Sequence, residues 1–344
     1  MNRPTLLIGY GSIGRRHAAV LRELTEQLSI LDVNERTRVQ AKADHPGARV
    51  VGGFEALDRA GLNWGAVLAV IATWGPSHAE LFDTLVDRGV RHVLCEKPLA
   101  NSVGLANGMV ERATRDGVDL AVHHYIRASR IVTALRRLMS DQHLGFPVSV
   151  EVIGGAAGLV TSGVHWIDFA SELFDGQPHR VFSTATGRRI NPRSPDLEFY
   201  GGTAVWSFAD GRELVISLNG GSSLALRAHV FFRDAVVELD AELNVSVWRR
   251  DQEAVTKFPA ITRTGPASER VFEGQLPEVL TLSAGIRNLV DEVGAGQNRT
   301  CPARHGAASV NACIAALISA RLGRSIDLPI ESGSTWGGEP WPIS

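Results

Sequence analysis

Thr5-Leu6-Leu7-Ile8-Gly9-Tyr10-Gly11-Ser12-Ile13-Gly14-Arg15-Arg16-His17 is the stretch on which the reading of this chain turns. Its short apolar run predicts a strand, and the glycines that follow are spaced G-x-G-x-x-G at the opening of an amphipathic helix. Each glycine has a mechanical task there. Gly9 permits a tight turn, Gly11 lets backbone approach a pyrophosphate with no Cβ in the way, and Gly14 allows the helix to pack closely on the strand. Ser12 and Ile13 open the helix, whose N-terminus offers N–H groups and a partial positive charge to phosphates. Asp32 ends the next apolar run, 18 residues after Gly14, where a carboxylate accepts hydrogen bonds from the adenosine ribose hydroxyls and repels a 2′-phosphate. The stretch therefore predicts a dinucleotide site for NAD. NADP is less favoured, Arg36 and Arg38 being the residues that would meet its phosphate.

Outward from this stretch the chain alternates strand and helix patterns. Ser29–Leu31, Val67–Ile71, Val93–Cys95 and Leu120–Val122 read as strands, and Ile13–Glu26, Ser77–Arg88 and Val103–Asp116 as helices. Such alternation implies a parallel sheet covered on both faces. From about Pro147 period-two strands take over. Thr203–Phe208 and Glu213–Leu218 flank Asp210-Gly211, a hairpin signal, and Leu226–Phe232, Ala235–Leu239 and Val245–Trp248 continue the pattern. Helical patterns return at Pro277–Val293 and Ala303–Arg321, and residues 332–344 read as an extended strap that docks by its tryptophans. The expected architecture is an α/β Rossmann domain over 1–123, followed over 124–344 by an α+β domain with an open, mainly antiparallel sheet.

Composition narrows the function. The 344 residues carry 35 basic and 37 acidic side chains, a formal charge of -2, so there is no positive field to hold nucleic acid or an anionic membrane surface. A small-molecule partner is expected. Cys95, Cys301 and Cys313 lack the paired spacings of a disulfide framework or a metal site, so no metal is expected and a reducing cytoplasm fits. The apolar run ending at Gly9 is too short for a signal peptide.

Lys97 is one of only three lysines and lies in Glu96-Lys97-Pro98, just past a strand's carboxyl end, on the edge where ligands of open α/β sheets bind. Near a cationic nicotinamide its ammonium would have a lowered pKa, suited to donating a hydrogen bond or relaying a proton. The proline also admits a cis bond before it.

These motifs together resemble the Gfo/Idh/MocA family of NAD(P)-dependent oxidoreductases: Gly9–His17, Asp32, Thr73–His78 (TWGPSH), Glu96-Lys97-Pro98, Gly163–Asp168 (GVHWID) and Ser319–Leu328. The resemblance implies cofactor contacts from Thr73, His78, Glu96 and Lys97, with catalysis by Lys97 and His165. It also implies an oligomer, a homodimer or homotetramer, through the outer face of the C-terminal sheet, which agrees with apolar residues on both faces of the predicted strands. Family members commonly carry an aspartate four residues before the histidine; here that position is Thr161. Asp168, three residues after His165, is a candidate to orient its ring, or else an acid placed to favour a helix dipole. Tyr125 and Arg127 are candidate substrate contacts by their place after the sixth strand, where Tyr125 replaces a frequent asparagine. His123 and His124 face the pocket or sit half-exposed at a strand end, and Trp74 alters the wall over the nicotinamide. Arg188, Arg189 and Arg193 form a basic loop suited to an acidic or phosphorylated substrate.

The function expected is hydride transfer between NAD and a carbinol of a sugar, polyol or sugar derivative. Two other classes stay open: a non-catalytic dinucleotide-binding sensor or assembly protein, and a redox-neutral enzyme that uses bound NAD transiently for elimination or glycoside cleavage.

Overall fold

The computed structural model describes residues 3–155, 157–187, 197–219, 221–257 and 268–343. The basic loop at Arg188, Arg189 and Arg193 lies outside them. In chain order the first elements are β1 (Thr5–Ile8), α1 (Ser12–Leu24), β2 (Leu28–Leu31), α2 (Glu35–Asp44), β3 (Arg49–Val51), α3 (Phe54–Arg59), β4 (Leu68–Ile71), α4 (His78–Asp87), β5 (His92–Cys95), α5 (Val103–Asp116) and β6 (Asp119–Val122). After them come α6 (Tyr125–Ala128), α7 (Ile131–Asp141), β7 (Ser149–Gly155), α8 (Gly163–Leu173), β8 (Pro178–Ser183), β9 (Thr186–Gly187), β10 (Tyr200–Phe208), β11 (Glu213–Asn219), β12 (Arg227–Phe231), β13 (Ala235–Leu239) and β14 (Val245–Arg250). The last are α9 (Gln252–Lys257), β15 (Ser268–Gly274), α10 (Leu282–Gly294), α11 (Ala303–Leu322), β16 (Ile326–Asp327) and α12 (Thr335–Gly338).

Two compact units emerge. The first takes residues 1–129, 280–311 and 330–344, and the second takes 130–279 and 312–329. The first unit is threaded from three stretches, because α10, the start of α11 and the C-terminal segment belong to it.

In the first unit six strands pair in the order β3-β2-β1-β4-β5-β6, every pair parallel. β1, β2 and β4 are buried along their whole length, which is why they read as unbroken apolar runs. β3 is short and half-exposed, and carries no such signal. The core joins Leu7, Ile30, Val70, Leu94 and Ala121 of the sheet to Ala18 and Leu21 of α1 and to Ile286, Leu289, Val290 and Val293 of α10. The outer edge of β6 is closed by the segment before α11: the Val122 N–H donates to Cys301 O at 2.9 Å, and Ala121 bridges Pro302.

The second unit is built on a ten-stranded sheet in the order β15-β14-β13-β12-β7-β11-β10-β8-β16, with β9 paired to β10. Only β7 and β11 run parallel among these pairs. The β10–β11 turn is the expected one, with Gly211 at φ +86°. On β10 and β11 the inward face is Ala204, Trp206, Phe208, Leu214, Ile216 and Leu218, all buried. The opposite face carries Val205 beside Phe182 and Val215, half-buried to exposed. The α+β character with an open, mainly antiparallel sheet is thus present.

Candidate functional site

The glycine turn performs the tasks its spacing predicts. Gly9 sits at φ +91°, and a Cβ there would come within 2.8 Å of Ala72 O. A Cβ on Gly14 would lie 2.1 Å from Gly9 O, so α1 and the turn are in backbone contact. A Cβ on Gly11 would meet nothing within 4 Å. The first and third glycines are therefore demanded by the protein's own packing, while the space over the second is open to a ligand. Ser12 and Ile13 follow as the first two residues of α1, and Gly11, its N-cap, supplies no side chain to its N–H groups.

Asp32 stands directly after β2. Its Oδ2 accepts the Tyr10 N–H and its Oδ1 the Asn34 N–H, both at 2.8 Å. A carboxylate keeps further lone pairs after two such bonds, so Asp32 is oriented and still able to accept from hydroxyls. Arg38 donates through Nη1 to the carbonyls of Asp32 and Val33, at 3.0 and 2.8 Å, whereas Arg36 is exposed. Tyr10 turns its ring inward. Its hydroxyl donates to Asp44 Oδ2 at 2.8 Å, and burial with that carboxylate pushes the phenol up to about 12. The turn and the C-terminal end of α2 are thereby joined, which spacing alone does not reveal.

At the carboxyl end of β5, Glu96 is 4% exposed and Lys97 half-buried. The Lys97–Pro98 bond is cis, and the Lys97 N–H donates to Glu96 Oε2 at 3.3 Å. Oε1 of the same carboxylate lies 2.7 Å from His17 Nε2 and 2.7 Å from His123 Nδ1. The two imidazoles meet edge to face, 5.2 Å between centroids. Burial drives the Glu96 carboxyl toward its neutral form, but the imidazoles of His123 and His17 outweigh it and hold the carboxyl well below the usual range. Burial lowers His17 and, with help from Glu96, pushes the Cys95 thiol up. Among the described residues His17, Glu96 and His123 are a group whose potential metal-ligand atoms lie within 4.8 Å of one another. Contacts of 2.7 Å are hydrogen-bond lengths, with both imidazoles sharing one oxygen. His17 lies three residues after Gly14, on the inward face of α1.

Thr73 and His78 flank a 3₁₀ turn, Gly75–Ser77. Thr73 Oγ1 and Ser77 Oγ are 2.8 Å apart, and Thr73 Cγ2 lies 2.9 Å from where a Cβ on Gly9 would fall. His78 is fully buried, and its Nδ1 faces Pro98 O at 2.9 Å; a carbonyl only accepts, so Nδ1 carries the proton. His78 thus braces the Lys97–Pro98 step. The C-terminal strap arrives at the same place: the Trp341 N–H donates to Asn101 O at 2.8 Å, and a Cβ on Gly75 would meet both Pro98 Cγ and Ile343 O. Trp74 is 40% exposed beside this turn. After β6, Tyr125 opens α6, its phenol pushed up to about 12 by burial, and Arg127 is 8% exposed. The structure thus brings Gly9, Gly11, Ser12, Ile13, Gly14, Asp32, Thr73, His78, Glu96 and Lys97 into one unit, at the carboxyl ends of its parallel strands.

In the second unit, α8 carries His165 and Asp168, 5% and 1% exposed, and Thr161 lies half-buried two residues before the helix. Helix α8 begins at Gly163, which puts Asp168 in the second turn. An interaction with the dipole of the first turn therefore does not account for this acid.

Residues 4–124 match the model of an oxidoreductase family with an NAD-binding Rossmann fold, GFO_IDH_MocA. A D-apiose dehydrogenase from Paraburkholderia graminis is 28% identical over 193 residues, which make 49% of this chain and 48% of that protein. An inositol 2-dehydrogenase from Acidiphilium cryptum is 30% identical over 153 residues, 42% of this chain and 43% of that protein. The chain spans about half the length of the curated relatives it matches or less. In fold it is similar to a crystal structure of an NAD-binding protein from Listeria innocua, with a TM-score of 0.76 over 97% of this chain and 99% of that one at 17% identity. With the glycine turn, Asp32 and the Glu96-Lys97-Pro98 step in place, residues 4–124 are similar to the NAD-binding Rossmann part of the GFO_IDH_MocA oxidoreductases.

Proposed function

We propose that this chain is an NAD-dependent oxidoreductase that moves a hydride between the nicotinamide and a carbinol carbon of a sugar, polyol or sugar derivative. The observation that carries the reading is the open position over Gly11, at the same sheet edge as an oriented Asp32 and as Lys97. NAD fits these residues: the turn and the N-terminus of α1 hold the pyrophosphate, Asp32 the ribose hydroxyls, and Thr73, His78 and Glu96 shape the far half. The bound nicotinamide supplies the hydride acceptor or donor. In oxidation His165 takes the hydroxyl proton while Lys97 donates a hydrogen bond to that oxygen. Tyr125, Arg127, Thr161 and Asp168 are assigned to the substrate side.

Around this chemistry the proposal is a cytoplasmic protein, supported by the burial of Cys95, Cys301 and Cys313 and by spacings that make no disulfide framework. Among the described residues no helix is long and apolar enough to cross a membrane. A second copy is assigned to the outer face of the ten-stranded sheet, where Ile153 and Phe182 are 46% and 45% exposed.

Two measurements test the reading. Calorimetric titration should give tighter binding of NAD(H) than of NADP(H), because Asp32 opposes a 2′-phosphate; equal or reversed affinities would defeat this and name Arg38, already beside Asp32, as a phosphate clamp. Absorbance at the nicotinamide band should show net NADH formation over a panel of sugars and polyols. Product without NADH would mark a redox-neutral enzyme. Silence across the panel favours the binding-only reading, which the Thr161 position motivates.

A further inference from the structure

The sharing of one Glu96 oxygen by His17 and His123 is explained neither by hydride transfer nor by a contact to the dinucleotide. The carboxylate Oε1 has an imidazole nitrogen at 2.7 Å on either side, so each ring donates its one N–H to the same oxygen. The other nitrogens, His17 Nδ1 and His123 Nε2, are buried with no hydrogen-bond partner among the described residues. An unprotonated ring nitrogen tolerates such burial. A second N–H there would be an orphaned donor carrying part of a positive charge, which is far more costly. Both imidazoles are therefore neutral, with the tautomers Nε2–H on His17 and Nδ1–H on His123, and the group as a whole bears one negative charge.

Its place is as informative as its charge. In the strand order β3-β2-β1-β4-β5-β6 a dinucleotide held at the turn after β1 would divide at β1 and β4, its adenosine half toward β3 and its nicotinamide half toward β6. Glu96 follows the last residue of β5, and His123 the last residue of β6. The charge lies on the nicotinamide side. Its titratable and charged neighbours are Cys95, His78 and Lys97.

We propose that the His17–Glu96–His123 group is a fixed anion beneath the nicotinamide half of the site, and that it biases the protein toward the cationic, oxidised cofactor over the neutral, reduced one. The inference rests on the reading that the turn at Gly9–Gly14 binds a nicotinamide dinucleotide. The Lys97 ammonium offsets part of the field, but a substitution that removes the anion alone still shifts the potential at the ring by one unit charge. At an effective dielectric of about 20, a unit charge within the same site is worth roughly tenfold in an equilibrium constant.

The test is calorimetric titration of the wild-type chain and of Glu96→Gln with NAD⁺ and with NADH. Glu96→Gln keeps an oxygen for both imidazoles and deletes the charge. The expected result is that the ratio of the NAD⁺ to the NADH dissociation constant rises roughly tenfold in the variant. General damage to the fold would weaken both forms alike and leave the ratio unchanged, which overturns the proposal. A second measurement needs no variant: ¹⁵N spectra of the imidazoles at pH 7 should show His17 protonated at Nε2 only and His123 at Nδ1 only. A doubly protonated ring at either position overturns the proposal, as does uptake of one zinc ion per chain that Glu96→Gln and His123→Gln both abolish. A wild-type chain that binds neither form refutes the cofactor reading and this inference with it. Binding of both forms with an unchanged ratio refutes the inference alone.

Discussion

Lys97 and His165 are the side chains whose removal should slow chemistry most. His165→Ala should lower turnover by roughly 10²–10⁴, the span of a lost acid–base group, with NADH affinity near that of the parent, and Lys97→Ala should lower turnover similarly. Steady-state rates near the parent's in both variants would remove these residues from catalysis. Thr161→Asp is the sharper probe: activity kept or improved marks an ordinary family site lacking its orienting acid, while loss of both stability and activity marks a different substrate fit. Protonation of buried rings supplies a second expectation. His17 and His78 are fully buried and lowered by that burial, so the folded chain refuses protons that the unfolded chain takes up below about pH 6.5. Stability should therefore decline as pH falls from about 6.5. A further loss belongs to Glu96: its carboxyl is held well below the usual range, so its contribution is present above about pH 4.3 and disappears as pH falls through the folded value. Thermal melts from pH 8 to 4 should show the first decline before any carboxylate contribution, and His78→Gln should flatten it. A midpoint constant between pH 7.5 and 5 would contradict the assignment.

The turn between β1 and α1 separates residues the protein needs from residues its ligand needs. Gly14→Ala forces a Cβ to 2.1 Å from Gly9 O, which backbone alone can relieve, so it should lower the melting temperature and dinucleotide affinity together. Gly11→Ala meets no atom of the chain, so the melting temperature should hold while dinucleotide affinity falls. Equal affinities for parent and Gly11→Ala would place the pyrophosphate elsewhere. Legibility in the sequence follows the same division. β1, β2 and β4 were readable because burial on both faces demands unbroken apolar residues, and α5 because Ser102 caps its start and Gly117 its end. β3 was not, being three half-exposed residues, and neither was the parallel β7–β11 pair, which depends on the long-range course of the chain. Asp32 and Lys97 were legible from their distance to a strand end. The partnership of Glu96 with His17 and His123 was not, since it joins a side chain of α1 to the residues just after β5 and β6, which only packing brings together.

Across the whole molecule, the outer face of the ten-stranded sheet grades from apolar to polar. Phe182, Val205 and Val215 follow one another across β8, β10 and β11, and Glu151, His229 and Glu238 continue the row over β7, β12 and β13. An apolar stretch with a polar margin is the composition of a protein interface, and a homodimer or homotetramer through it is expected by light scattering. A monomer at micromolar concentration would exclude that assembly, and Phe182→Asp should dissociate it if it forms. The course of the chain through the first unit has its own consequence, for biosynthesis. Leu7, Ala18 and Leu21 share a core with Ile286, Leu289 and Val290 of α10, and about 150 residues of the second unit are translated between them. At 5–20 residues per second the six-stranded sheet waits roughly 10–30 s on the ribosome with that apolar surface open, a window in which a chaperone, rather than the chain itself, must keep it from neighbouring nascent chains.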